Sequence, residues 1–142
     1  MHAAAFLAIT LPLAAPTLKD TPRDQGLVGE WESVRSVGSG SPDEGKVRFV
    51  FTADGKWTSI RDGKQWDIAK TAYVIDSKAE LPTIDLIYDL AAGPAATFRG
   101  IYKLNRDTLT ICSANPGHPR PTAFESPKVS NVNLTVLRRV KN

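Results

Sequence analysis

The two ends of this chain carry an aromatic and a basic group that fit one another across a closed sheet. Gly29-Glu30-Trp31 opens the first strand-like segment, and Arg138-Arg139 closes the last. A small barrel pairs its first and last strands to remove open edges, and an arginine from one strand can cover a tryptophan on the other. The ends therefore predict a closed β-barrel whose closure uses Gly29, Trp31, Arg138 and Arg139.

Between these ends, short runs of alternating apolar residues are separated by turn-forming residues about every ten positions, a spacing typical of antiparallel barrels and sandwiches. Turn formers at 53–55, 62–64 and 105–106 predict tight hairpins. We predict an all-β fold, a single eight-stranded antiparallel up-and-down barrel, whose interior is wide enough for side chains or one small ligand. The predicted strands are 29–37, 46–52, 56–62, 65–75, 83–90, 96–104, 107–113 and 131–140.

The first 25 residues differ from the remainder. An apolar run at 3–11 is followed by Pro12, small residues and a polar, proline-containing stretch, which is typical of a secretory signal peptide. The run is shorter than the roughly 20 apolar residues of a membrane-spanning helix. We therefore expect a signal peptide and flexible segment over 1–25, one barrel domain over 26–142, and a secreted or periplasmic protein with no membrane anchor.

Composition argues against several classes of function. The net charge of +3 comes from basic residues scattered among acidic ones, so no nucleic-acid partner is predicted. With only His2, His118 and Cys112 beside the carboxylates, no ligand set has the spacing of a metal site, and no metal or other cofactor is expected. A lone cysteine within a strand is usually a small buried apolar residue, and no catalytic residue is predicted.

Alternation along the strands assigns side chains to the barrel interior. It places Val132, Leu134 and Val136 of the last strand inward. It also gathers arginines, tyrosines and other aromatic residues there, a combination that can hold a carboxylate while the walls surround an apolar body. The alternative is a filled core from which the two arginines reach outward at the strand ends. The predicted ligand-binding residues are Arg35, Trp57, Arg61, Tyr88, Phe98 and Tyr102.

Two connections are longer than hairpin turns, 39–45 and 114–130. The second is rich in Pro, Gly and Ser, and it contains Arg120-Pro121-Thr122-Ala123-Phe124. A rigid proline between an arginine and an aromatic residue can fold back on the barrel. We expect Arg120 and Phe124 to form a lid over one barrel end.

Six segments carry a resemblance to a known family: LVGEW at 27–31, PTIDL at 82–86, GIYKL at 100–104, DTLTIC at 107–112, RPTAF at 120–124 and LTVLRR at 134–139. Together they resemble an uncharacterised lipocalin-like domain family abundant in planctomycete bacteria, over residues 26–142. The resemblance implies a calycin-like barrel that is commonly exported, and it brings no established activity. In true lipocalins a similar tryptophan packs at the closed base beneath a last-strand arginine, which implies that role for Trp31 here.

Three functional interpretations remain open on the sequence. The leading one is a secreted, non-enzymatic binding module for a small apolar or amphipathic molecule, anionic ligands included. The second is a solid barrel that binds or inhibits a protein partner at its rim through the 39–45 and 114–130 loops. The third is a calycin-type enzyme that uses a tyrosine or arginine of the interior.

Overall fold

The computed structural model describes residues 26–38, 47–65, 71–88, 96–127 and 130–141. The predicted signal peptide and the predicted 39–45 loop lie outside these residues. One nine-stranded sheet occupies the described ranges. Its strands are β1 (Gly29–Val37), β2 (Val47–Phe51), β3 (Trp57–Arg61), β4 (Lys64–Gln65), β5 (Thr71–Asp76), β6 (Thr83–Tyr88), β7 (Thr97–Asn105), β8 (Thr108–Ala114) and β9 (Val132–Arg139).

The sheet is antiparallel throughout and has the strand order β4-β3-β2-β1-β9-β8-β7-β6-β5. Every strand pairs with its neighbour in the chain except β4, which does not pair with β5. The first and last strands pair as their sequences predict, and this places them at the centre of the order. The fold is therefore all-β and barrel-like, and the strands that hold the edges come from the middle of the chain.

The prediction of eight strands is wrong, because the predicted strand 65–75 corresponds to two strands with different partners. Asp62 and Gly63 both have positive φ, 52° and 75°, the conformation of a two-residue type I′ hairpin turn. This turn pairs Lys64 and Gln65 with β3, whereas Thr71–Asp76 pairs with β6. Apolar alternation detects the strands but not this change of partner.

Individual hydrogen bonds join β5 and β6 to β3 and the preceding turn, where the described residues form no strand ladder. We call this junction the seam. Two of its four bonds come from one tyrosine, and a third comes from an indole. The bonds are Tyr73 N to Gly55 O at 2.9 Å, Tyr73 Oη to Thr52 O at 2.7 Å, Thr71 Oγ1 to Trp57 O at 2.5 Å, and Trp57 Nε1 to Ile87 O at 3.2 Å.

A tryptophan and an arginine lie together where β1 pairs with β9. Trp31 is fully buried and opposite Arg139 in the ladder, and the guanidinium carbon lies 4.2 Å from a ring centroid of the indole. The indole donates to Leu27 O at 2.9 Å. The guanidinium donates to Val28 O at 3.2 Å and also to Gly26 O. The segment before β1 is thus fixed beneath the end of β9.

The other two predicted closure residues have different surroundings. Gly29 has φ of 139°, and a Cβ there would lie 2.9 Å from Arg139 Nη1, so the position favours glycine on both conformational and steric grounds. Arg138 points to the outer face, where its guanidinium lies 3.5 Å from the carboxylate of Glu32. Arg139, and not Arg138, is the arginine that covers Trp31.

The apolar core fills the end of the sheet that contains Trp31. Aromatic and aliphatic side chains from eight strands meet there with Leu27, and the aromatic rings contact edge to face, as for Phe51 and Tyr73 at 5.1 Å. This packing closes one end and leaves the other to be lined differently. The buried cluster is Leu27, Trp31, Phe51, Trp57, Tyr73, Ile75, Ile84, Leu86, Tyr102, Leu109, Ile111 and Leu137.

The interior face of β9 is the reverse of the predicted one. Asn133 and Thr135 line the interior, and Leu137 is in the core. Val132, Leu134 and Val136 therefore lie on the outer face, opposite Ala114, Cys112 and Thr110 of β8. Those three β8 residues are buried, so the apolar alternation of β9 marks a covered outer face.

Replacing Arg139 by Ala should lower the free energy of unfolding by about 2 kcal/mol, because two hydrogen bonds to carbonyls and a cation–π contact are lost at a largely buried site. Arg138→Ala is the matched control, since it removes an exposed ion pair and should change stability by less than about 0.5 kcal/mol. Urea unfolding followed by tryptophan fluorescence measures both. Equal effects of the two variants would contradict this account of the closure.

Candidate functional site

A cavity of about 320 Å³ lies at the end of the sheet opposite Trp31. At this end β1, β3, β6 and β8 finish, and β2, β7 and β9 begin. Trp57, Leu86 and Ile111 belong to both the core cluster and the cavity lining, so the cavity adjoins the core. The lining residues are Ser36, Val37, Val47, Phe49, Trp57, Ser59, Arg61, Leu86, Tyr88, Phe98, Ile111, Ser113, Asn115, Asn133 and Thr135.

Four aromatic rings form one wall of this cavity. Phe49 packs against Trp57 at 5.8 Å between centroids, and Trp57 packs against Tyr88 at 4.8 Å. Tyr88 continues the series to Phe98 at 5.0 Å with the planes at 80°. Since Trp57 belongs to β3 and Tyr88 to β6, the aromatic wall crosses the seam. It is an apolar surface that also holds two edges of the sheet together.

Neutral polar side chains from β1, β8, β9 and the residue after β8 form the facing wall. Asn133 Nδ2 donates to Asn115 Oδ1 at 2.8 Å. The Oδ1 atom of Asn133 takes no part in that bond and lies beside Gly38. That atom and Ser36 Oγ are both buried and have no hydrogen-bond partner among the described residues. Ser113, another lining residue, is 8% exposed. This wall therefore contains hydrogen-bonding capacity that the protein does not use internally.

Arg61 is the charged side chain among the described lining residues. It is exposed at the end of β3, and it lies close enough to Tyr88 to act on the titration of that phenol. Burial raises the pKa of Tyr88 above its ordinary value, and the positive charge of Arg61 opposes that increase. The cavity thus has a cationic rim beside a neutral phenol.

The structure brings together four of the six predicted ligand-binding residues, namely Trp57, Arg61, Tyr88 and Phe98. Arg35 is exposed outside the lining, because the register of β1 on β9 shifts between Ser33 and Arg35. A bulge of this kind adds one residue and reverses the faces that follow it.

Tyr102, the sixth predicted residue, is not in the cavity lining. It is 2% exposed within the core cluster nearer the Trp31 end. Its position two residues beyond Gly100 is on the predicted interior face, but too far along β7 to reach the cavity. Alternation correctly predicts here which face of the sheet the side chain is on. It does not predict how far along the strand, and so how near the cavity, the side chain lies.

The polar wall was not predicted, and the reason lies in its sequence pattern. Asn133 and Thr135 alternate with valines and a leucine, so assigning the apolar set to the interior sends both polar residues outward. Ser36 reaches the interior only because of the bulge at Ser33 and Arg35. No local sequence pattern indicates that Asn133 and Thr135 face inward, or that a bulge turns Ser36 inward.

Arg120 and Phe124 lie against the outer face of the sheet and not over the cavity. Arg120 Nη1 donates to Gly100 O at 2.7 Å and lies 2.7 Å from Asp85 Oδ1. Lys103 Nζ lies 4.6 Å from the centroid of the Phe124 ring. The connection after β8 therefore covers β6 to β8 from outside, and residues 128–129 of the predicted loop lie beyond the described residues.

Cys112 lies beneath this connection, on the outer face of β8. Its side chain is fully buried, and Sγ is 3.5 Å from Ala123 O and from Glu125 O. Burial raises the pKa of the thiol, which disfavours the reactive thiolate. The position and surroundings of Cys112 separate it from the cavity.

Within the ranges that the structure describes, no group of three or more His, Cys, Asp and Glu side chains is placed to hold a metal ion. The same ranges contain no helix with the length and apolarity needed to cross a membrane. Comparisons with protein-family models, with curated proteins and with solved structures found no match to this chain. The resemblance to a lipocalin-like family stays a prediction, and the geometry of the cavity must carry the functional argument.

Replacing Arg61 by Gln should raise the pKa of Tyr88 further, because the opposing positive charge is removed while burial remains. In the folded protein the neutral phenol is favoured, so the stabilisation it contributes is present below the ordinary pKa of tyrosine and is lost as pH rises through the raised value. Carbon-13 NMR of tyrosine labelled at Cζ follows this titration. Arg48→Gln, on the outer face of neighbouring β2, is the control, and an unchanged or lower pKa in Arg61→Gln would contradict the assignment.

Proposed function

We propose that this protein is a lipocalin-like binding module that holds a small apolar or amphipathic molecule in the cavity. One observation carries the proposal: the interior is lined on one side by aromatic rings and on the other by polar groups without internal partners. Binding sites for small molecules commonly combine an apolar lining with a few convergent polar groups. The predicted export of the chain suits a carrier that meets its ligand outside the cell.

The size of the cavity limits the ligand. At about 320 Å³ it lies near the lower end of the roughly 300–1,000 Å³ that small-molecule sites occupy. A ligand of one or two rings, or a short chain, suits this volume. A long-chain lipid held fully inside does not.

A carrier role agrees with the packing better than a solid interaction module does. The end near Trp31 is filled with core side chains, so this sequence can pack an interior where it has apolar residues to do so. At the cavity end, four of the lining residues are serine or asparagine from β1, β8 and β9 or the residue after β8. Serine and asparagine are unfavourable in a solid core, because burying their polar groups costs free energy unless they find hydrogen-bond partners. The same groups are suited to hydrogen bonding with a ligand.

Benzene and naphthalene are suitable first probes, because they test the apolar wall without charge or hydrogen bonding. We expect saturable methyl NMR shifts at Leu86 and Ile111, with a Kd at or below about 1 mM for the better probe. Ser59→Phe places a ring in the cavity and should abolish the shifts. Thr58→Phe adds the same ring one residue earlier on the outer face of β3 and should retain them.

Circular dichroism and the methyl spectra of both variants establish that each is folded. Retention of binding by Ser59→Phe would place the probes elsewhere and contradict the proposed site. The carrier function itself fails if neither these neutral probes nor the charged ones described below bind at the cavity.

A further inference from the structure

We infer that the ligand is a small aromatic hydroxy acid, with a carboxylate at Arg61 and a hydrogen-bond donor directed to Asn133 and Ser36. This inference rests on the proposed function, and it specifies the chemistry of the occupant. Three features of the cavity support it independently: the sign of the charge at the rim, the geometry of the aromatic wall, and the unpaired acceptors opposite.

The charge at the rim selects an anion. Arg61 is the charged side chain among the described lining residues, and it forms no ion pair with another residue of the described ranges. A guanidinium offers several N–H donors in a fork that matches a carboxylate. The same charge opposes entry of a cationic ligand, although the aromatic rings alone would accept one.

The aromatic wall selects a planar ring. Trp57 and Tyr88 lie 4.8 Å apart with their planes at 54°, and Phe98 meets Tyr88 nearly edge-on. Faces and edges of rings are therefore both presented to the interior. An aromatic ligand gains offset-stacked or edge-to-face contacts with such a surface, beyond the burial of its apolar area.

The opposite wall selects a donor. Asn133 Oδ1 can only accept a hydrogen bond, and the Nδ2 atom of the same side chain is already used by Asn115. Ser36 Oγ lies in the same wall and is likewise without a described partner. Asn133 Oδ1 is buried beside Gly38 in this structure, so a ligand reaches it only after the Asn133 side chain turns toward the cavity. A ligand hydroxyl would then satisfy the amide oxygen, which an ether, a second carboxylate or a hydrocarbon could not do.

The strand order places these two ends on opposite sides of the interior. β9, which carries Asn133, is three strands from β3 in one direction and three strands from β6 in the other. Arg61 and Tyr88 lie on β3 and β6, which meet at the seam. In a curled sheet, the strand midway between the two sides of a seam lies across the interior from it. The carboxylate and the hydroxyl therefore belong at opposite ends of the ring.

Matched series on one ring and on two rings test this chemistry. The first series is toluene, benzoate, 4-methoxybenzoate and 4-hydroxybenzoate, and the second is naphthalene, 2-naphthoate, 6-methoxy-2-naphthoate and 6-hydroxy-2-naphthoate. On the scaffold that spans the cavity, we expect the carboxylate to tighten binding about tenfold and the hydroxyl about fivefold more, with the methoxy compound lacking the second gain. Methyl NMR titration gives each Kd.

Variants assign each gain to its residue. Arg61→Gln should remove the carboxylate gain, whereas Arg48→Gln, an arginine on the outer face of β2 that forms ion pairs with Glu30 and Glu32, should keep it. Ser36→Ala and Asn133→Ala should each reduce the hydroxyl gain and leave the carboxylate gain intact. Because every comparison is a ratio of ligands on one variant, a general loss of stability does not imitate the result.

The outcomes separate this inference from the proposed function. If hydrocarbon and acid bind with equal affinity on both scaffolds, the cavity is a carrier site and the assignment of an acid is overturned. If the methoxy and hydroxy acids bind equally, the donor assignment is overturned. If no probe binds, the proposed function fails along with the inference. Gains that persist in both Arg61→Gln and Asn133→Ala would overturn the residue assignments.

Discussion

The ladder between β1 and β9 joins two halves of the sheet that the chain builds separately. Residues before the middle of the chain form β4 to β1 on one side, and later residues form β9 to β5 on the other. The two halves share this one full ladder, so the buried Trp31, the guanidinium of Arg139 and the carbonyls they bind fix the relative position of both. Pairing strands that are so distant in the chain closes a large loop. Contacts such as these must offset the conformational entropy that is lost in the closure.

With the halves joined at their centre, the far edges meet at the seam without a ladder. Among the described residues, their attachment includes four hydrogen bonds and the aromatic contacts of Trp57 with Tyr88 and of Phe51 with Tyr73. The contact of Trp57 with Tyr88 also forms the apolar wall of the cavity. If the proposed ligand binds against that wall, its ring would add contacts across this junction, and its affinity and the stability of the fold would be coupled through the same two side chains.

Sequence patterns gave most of the fold, since period-two alternation and turn residues report local backbone geometry. They identified the strands around Trp31, Trp57 and Tyr102, and the pairing of the chain ends. They failed where a non-local fact decides the outcome. Strand β5 takes β6 as its partner, the bulge before Arg35 turns that side chain outward, and the connection after β8 covers the outer face of β6 to β8. None of these three features changes the local alternation of apolar and polar residues, so alternation cannot predict them. The aromatic half of the candidate site was therefore predictable, and the polar half was not.

The polar half of the candidate site also carries an energetic cost in the protein itself. A buried polar atom without a partner costs about 1–3 kcal/mol relative to a satisfied one. Asn133 Oδ1 and Ser36 Oγ both lie in that state among the described residues, beside aromatic and aliphatic side chains that an apolar neighbour could pack against. Apolar residues at these two positions would give the free protein a better-satisfied interior. A ligand that donates to these atoms would offset this cost only in the complex. The free protein would be less stable by that amount, and the complex would gain it as binding free energy. Under the proposed function, that difference would let these two atoms, in addition to the aromatic wall, distinguish one ligand from another.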